Sequence, residues 1–278
     1  MTRKMVKSKL YPDVPPTKLR NKDEEFLTGA NRPFWVWLAD RFLFTMPERR
    51  FYAMRVKGIE NFEKRNKKYG NISYGPHSCW WDGCIGYNIL RRIFKTSLRM
   101  MIEEMNRFPI MANAGAFAVN KKSAQSAMKA LQYSVDVLKD PNVTLWLFPQ
   151  GIIRPPNYRP IEFQTGTTYI AQKCAKKYGG VNLIPCAISY TFLREDQPEV
   201  LINIGEPIII ETDKDDRKTL TEKLEKNLES LCDKQLENIR TGALDDYEVI
   251  FQTPLPWYRN LEHWLKSLGM PKELGIRN

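Results

Sequence analysis

Only two histidines occur among the 278 residues of the chain, and one of them, His77, stands five positions before Asp82 in the segment Tyr74-Gly-Pro-His-Ser-Cys-Trp-Trp-Asp-Gly83. In a continuous helix, residues five apart point about 140° away from each other, so the two side chains cannot meet there. They meet if His77 lies on a loop and Asp82 falls in the first turn of the helix that follows. The carboxylate would then hold one imidazole nitrogen, fix the tautomer, and leave the other nitrogen free to take a proton from a hydroxyl group. A lone His-Asp spacing also recurs by chance, most often as a structural or solvent-facing pair, so its meaning depends on its company.

That company is ordered. Gly115-Ala-Phe-Ala-Val-Asn-Lys121 comes thirty-odd residues later, then Leu147-Phe-Pro-Gln-Gly151, then Val181-Asn-Leu-Ile-Pro-Cys-Ala-Ile188. In this order and at these intervals the four blocks resemble the glycerolipid acyltransferase superfamily, whose founding activity is the acylation of lysophosphatidic acid. The resemblance covers roughly residues 53 to 210 and is carried by the ordered set, not by any single block. It implies direct attack by the acceptor hydroxyl on a thioester of coenzyme A or acyl carrier protein, with His77 and Asp82 catalytic and no metal or further cofactor. It further implies that Lys121 contacts the acceptor phosphate; Gln150, Gly151, Arg154 and Arg159 are the other candidate substrate-binding residues.

The blocks depart from the family wording where the acceptor would be read. Lys121 stands where Arg is usual, and lysine binds phosphate as a point charge without the bidentate fork. The third block is usually Phe-Pro-Glu-Gly followed by Thr-Arg; here it reads Phe148-Pro-Gln-Gly-Ile-Ile-Arg154, with Gln150 for the Glu and the arginine displaced by one. Phe-Pro-Gln-Gly and Ser-x-Trp-Trp-Asp wording is similar to that of branches that resemble acylators of carotenoid glycosides and other glycolipids. The lead acceptor is therefore a lysophospholipid, 1-acyl-glycerol-3-phosphate, with a glycolipid as the alternative. Arg154 and Arg159, among Pro155, Pro156 and Pro160, form a stiff basic loop that could bind an acceptor headgroup or the phosphates of coenzyme A, or simply face solvent. Cys79 invites an acyl-cysteine route, but residues two apart on a loop seldom form a nucleophile-base pair.

The composition sets the frame. With 42% hydrophobic residues the chain can bury the core of one large α/β domain. Cys79, Cys84, Cys174, Cys186 and Cys232 form no CxxC pair and no ligand cluster, which predicts reduced thiols and no zinc site. No apolar run is long enough to span a bilayer, and no signal peptide is legible. A net charge of +11 and seven tryptophans suit a surface lying against something anionic: a membrane, an acidic carrier protein, or nucleic acid. No nucleic-acid motif interrupts the chain. The expected setting is cytoplasmic, peripheral on the inner face of an anionic membrane. A non-catalytic peripheral lipid-binding protein is the alternative from another class; the presence of both His77 and Asp82 speaks against it.

The elements must place these residues. Residues 1 to 50 read as a basic arm and an aromatic helical segment, Phe34 to Met46, closed by Pro47; it is either buried or laid in a membrane interface. Residues 51 to 240 alternate short strands with longer helices: strands at 52–56, 71–74, 98–102, 143–148, 183–190 and 200–204, and helices at 82–92, 123–138, 167–178 and 219–239. In the last helix Leu220, Leu224, Leu228, Leu231 and Leu236 share a side. This pattern predicts a single α/β domain with a mixed sheet covered by helices and an N-terminal amphipathic helical segment. Residues 241 to 278 form an aromatic amphipathic extension in which His263 is a surface or packing residue.

Overall fold

The computed structural model describes residues 26–103, 105, 109–121, 123–254, 258, 261, 264, 265, 267 and 268. The basic arm before residue 26, Trp257 and His263 lie outside the described residues. Nine strands form one sheet: β1 (Ala53–Lys57), β2 (Asn71–Tyr74), β3 (Ser97–Ile102), β4 (Ala116–Ala118), β5 (Val143–Leu147), β6 (Val181–Thr191), β7 (Glu199–Ile204), β8 (Ile208–Ile210) and β9 (Glu248–Gln252). Their order is β4-β3-β5-β2-β6-β7-β1-β9, with β8 beside the first half of β6. The half from β4 to β6 is parallel, β7 and β8 run antiparallel to β6, and β9 runs antiparallel to β1. The sheet is therefore mixed, as the strand-helix alternation predicts.

Helices cover both faces, which is why the central strands are apolar on both sides. In β5, Trp146 points to the layer of α1 (Pro33–Arg50) and α2 (Trp81–Asn88). Val143, Leu145 and Leu147 point to the layer of α3 (Ala124–Val137), α4 (Gly166–Tyr178) and α5 (Arg217–Thr241). Ser123 caps α3 as its sequence position predicts, accepting from the Ser126 N–H at 3.3 Å. Gly179 ends α4 in the left-handed conformation, where a side chain would be strained.

Three expectations need correction. Pro47 does not close α1, which continues to Arg50. A proline in a helix leaves the carbonyl four residues earlier without its donor; here the buried Asn88 side chain donates to the Leu43 carbonyl at 3.0 Å, so the helix survives the defect. The helix expected over 82–92 is α-helical only to Asn88 and finishes as a π turn over Ile89–Ile93, with the Phe94 N–H reaching back to the Ile89 carbonyl at 2.8 Å. Leu236 is not part of the buried stripe of α5. Two turns beyond Leu228 the inward position falls on Gln235, which is fully buried, while Leu236 is 40% exposed. The chain after residue 240 also contributes to the sheet, because β9 pairs with β1.

The α2 helix lies so close to the sheet that Gly86 faces the Trp146 indole directly. A Cβ on Gly86 would stand 2.5 Å from Trp146 Cε2, whereas one on Gly83, three residues earlier, meets nothing within 4 Å. Gly86→Ala is expected to lower unfolding free energy by about 1–3 kcal/mol through overpacking. Gly83→Ala, at an open helical position, should be neutral or stabilising by up to roughly 1 kcal/mol. Denaturant midpoints of the two variants check this; equal midpoints would contradict the close packing.

Candidate active site

Strand β2 ends at Tyr74, and six residues of loop separate it from α2. The loop is short because it folds around one buried carboxylate. Asp82, in the first turn of α2 and fully buried, accepts at Oδ2 from the backbone N–H groups of Ser78 and Cys79, the latter at 2.8 Å. The same oxygen lies 3.0 Å from His77 Nδ1. The two side chains that a continuous helix would keep apart are thus brought together by a loop and a helix start. An ionised carboxylate only accepts, so this contact favours the neutral tautomer with its proton on Nδ1 and the lone pair on Nε2.

The imidazole is fixed from other sides too. Its ring stacks on Phe148, with centroids 4.0 Å apart and planes 10° from parallel. Its backbone is clamped by the third block: the His77 N–H donates to Gln150 Oε1 at 2.6 Å, and the His77 carbonyl accepts from the Arg154 N–H at 2.9 Å. The His77 side chain keeps 21% of its surface accessible, enough for one edge to meet a substrate, while Asp82 keeps none.

A residue that the sequence did not mark completes the carboxylate. Tyr190, at the far end of β6, donates its hydroxyl to Asp82 Oδ1 at 2.7 Å and stacks on Phe51 with centroids 5.5 Å apart. It lies two residues beyond the fourth block, and a tyrosine there differs in no local way from other strand residues. Cys79 lies within 3.7 Å of Asp82 Oδ1, but burial and then the neighbouring carboxylate push its thiol pKa up. The thiolate is disfavoured, and the geometry gives no support to an acyl-cysteine route.

The expected binding residues fall into two groups. His77, Gln150, Arg154 and Arg159 line one cleft of ~190 Å³, walled on the far side by Tyr190 and by Leu236 of α5. Gln150 is buried; its Oε1 accepts from the His77 N–H, and its Nε2 end supplies the donors. Lys121 is not a cleft wall; its ammonium donates to the Gly151 carbonyl and pairs with Glu103 at 2.9 Å. Gly151 has a φ of +69°, which explains the glycine that follows Gln150. Arg154 pairs with Glu162 at 2.8 Å and Arg159 with Asp233. Every cation assigned to the acceptor therefore already holds a carboxylate.

The loop carrying these arginines is fastened to α5 by acids spaced four residues apart. Glu225 accepts from the Glu162 and Phe163 N–H groups, at 2.8 and 3.2 Å, Glu229 accepts from the Ile161 N–H at 2.8 Å, and Asp233 takes Arg159. Residues one helical turn apart share a face, so one side of α5 holds the whole loop. The i, i+4, i+8 carboxylates were a legible signal, but nothing local tells their target.

Residues 53–189 match the family model described as Acyltransferase. The fold is similar to the crystal structure of PlsC, the 1-acyl-sn-glycerophosphate acyltransferase of Thermotoga maritima. The TM-score is 0.50 at 20% identity, over 70% of this chain and 79% of that one, a likeness of fold. No curated protein matches the chain in sequence. The matched residues run from the start of β1 to Ser189 in β6 and include the His77–Asp82 pair, Gln150 and its loop, so this stretch of the chain matches the acyltransferase family.

Proposed function

We propose that this acyltransferase moves a fatty acyl chain from a coenzyme A or acyl carrier protein thioester to a lipid hydroxyl by general-base catalysis at His77. The observation that carries the reading is the 3.0 Å contact of His77 Nδ1 with the fully buried Asp82. Nε2 takes the acceptor proton as the hydroxyl oxygen attacks the thioester carbonyl. The tetrahedral intermediate collapses by breaking the C–S bond, and the imidazolium returns the proton to the departing thiolate. Asp82 stabilises the imidazolium between these steps. The Ser78 and Cys79 N–H groups hold Asp82, so the reading assigns the oxyanion to N–H groups of the first turn of α2, beginning at Trp81.

The lead acceptor is 1-acyl-glycerol-3-phosphate, with Lys121, Arg154 and Arg159 as cations for its phosphate and Gln150 and Gly151 shaping the turn beside it. A phosphate would exchange for the carboxylates of Glu103, Glu162 or Asp233. One observation favours a second reading, an uncharged glycolipid acceptor: those three ion pairs leave the loop charge-balanced without a ligand.

Attachment to an anionic membrane, on its cytoplasmic face, belongs to the same proposal. α1 buries Ala39, Leu43 and Pro47 but presents Trp37 and Phe42, 61% and 62% exposed, with Phe34, Leu38 and Arg41 on its outer side. Burial and interfacial placement are thus two faces of one helix. Among the described residues no helix is long and apolar enough to cross a membrane.

Three outcomes are expected. His77→Ala abolishes transfer with thermal unfolding unchanged, and Asp82→Asn slows it by roughly two to four orders of magnitude through loss of tautomer control; a folded, active His77→Ala protein would falsify the base assignment. Trp37→Ser with Phe42→Ser weakens binding to anionic vesicles without loss of fold. Salt weakens binding of the parent protein as well, since each basic residue at the surface contributes about 1 kcal/mol and is screened; wild-type binding by the folded double variant refutes the role of α1. Lys121→Ala raises the Michaelis constant for a phosphate-bearing acceptor roughly tenfold to a hundredfold over that for monoacylglycerol, the range for a charge-assisted hydrogen bond. Equal losses on both acceptors would sink the phosphate site and favour the glycolipid.

A further inference from the structure

We infer that Tyr190 is a positioning residue for the transfer reaction, acting on the base through Asp82. The inference rests on the proposed chemistry of His77 and adds to it a residue outside the four blocks. Its basis is the division of labour between the two carboxylate oxygens. Oδ2 accepts from His77 Nδ1 and from the N–H groups of Ser78 and Cys79, all from the loop before α2. Oδ1 has one short partner, the Tyr190 hydroxyl at 2.7 Å; the Ser78 hydroxyl and Cys79 thiol stand at 3.4 and 3.7 Å.

Tyr190 comes from another part of the fold. It is on β6, pinned beside β7 through its pairing with Val200, and its ring stacks on Phe51 at the end of α1. The hydroxyl therefore has a fixed approach to Oδ1. A donor at Oδ1 does two things: it stops rotation of the carboxylate about its Cβ–Cγ bond, and it draws charge density away from Oδ2, where His77 is held. The first keeps the imidazole in register; the second limits how strongly Asp82 retains the imidazolium proton that must be returned to the leaving thiolate. Burial, and then the Asp82 charge, raise the Tyr190 phenol pKa well above its ordinary value, so it stays a donor throughout the working pH range. The ionisable groups facing Asp82 are His77, Cys79 and Tyr190; Arg154 and Arg159 share the cleft, each in its own ion pair.

Tyr190→Phe keeps the ring against Phe51 and removes only the donor. The expected result is a loss of kcat of about tenfold to a hundredfold at an unchanged KM for the acceptor. The acid limb of the kcat/KM profile, where His77 becomes protonated, should move to higher pH, because Asp82 then holds the imidazolium more tightly. Site-specific replacement of Tyr190 by a fluorotyrosine, which has a more acidic phenol of nearly the same size, should move that limb to lower pH and keeps the test open if the phenylalanine variant does not fold. Limbs that stay in place, or that move in the reverse directions, overturn the inference, as does a folded Tyr190→Phe protein with wild-type kcat. His77→Ala measured alongside separates the two claims: activity in that variant removes the base assignment, whereas an inert His77→Ala beside an unaffected Tyr190→Phe removes only the role of Tyr190.

Discussion

A carboxylate without water must be surrounded by donors, and the arrangement of the site follows from satisfying Asp82. Burying an ionised carboxylate unpaired would cost several kcal/mol, so the native state can hold it only with its lone pairs occupied. Backbone N–H groups of Ser78 and Cys79, the His77 ring and the Tyr190 hydroxyl supply those contacts. They come from the loop between β2 and α2 and from the end of β6. Placing them requires the parallel pairing of β2 with β6 and the tight seat of α2 on Trp146. The geometry of the His77–Asp82 pair and the fold are here the same constraint, and the imidazole inherits its orientation from the helix start that holds the carboxylate.

The second constraint runs through the loop after β5. It clamps the His77 backbone from Gln150 and Arg154, stacks Phe148 under the ring, and is itself fastened to α5 by Glu225, Glu229 and Asp233. A long amphipathic helix on the opposite face of the sheet from α2 thereby helps set the shape of the cleft beside His77. Where the resembling family has a glutamate, Gln150 accepts the His77 N–H through its amide oxygen and leaves no negative charge beside His77.

Much of this was legible in the sequence where the signal is local. β2 begins and ends at Asn71 and Tyr74 as its alternation and flanking turns predict, Ser123 caps α3, and the His77–Asp82 spacing implied the loop-to-helix geometry that the structure shows. The misses share a cause: each depends on a partner distant in sequence. Pro47 reads as a helix end until Asn88 supplies the missing donor. Short strands such as β4 and β8 exist only because a neighbour pairs with them. Tyr190, and the α5 acids on the cleft loop, are ordinary residues until the chain closes. The aromatic run at 34–46, read as either buried or laid in a membrane interface, forms a helix with one buried and one exposed side.

Asp82 is proposed to hold His77 in the tautomer that leaves Nε2 able to accept a proton. Nitrogen NMR of the protein labelled in its imidazole rings tests it directly, since the chain has only two histidines and a His77→Ala spectrum assigns the resonances. The account predicts that neutral His77 carries its proton on Nδ1, with Nε2 bare, and that Asp82→Asn abolishes this preference. A neutral His77 protonated on Nε2 in the folded wild-type protein would contradict it, because that nitrogen could not then act as the base.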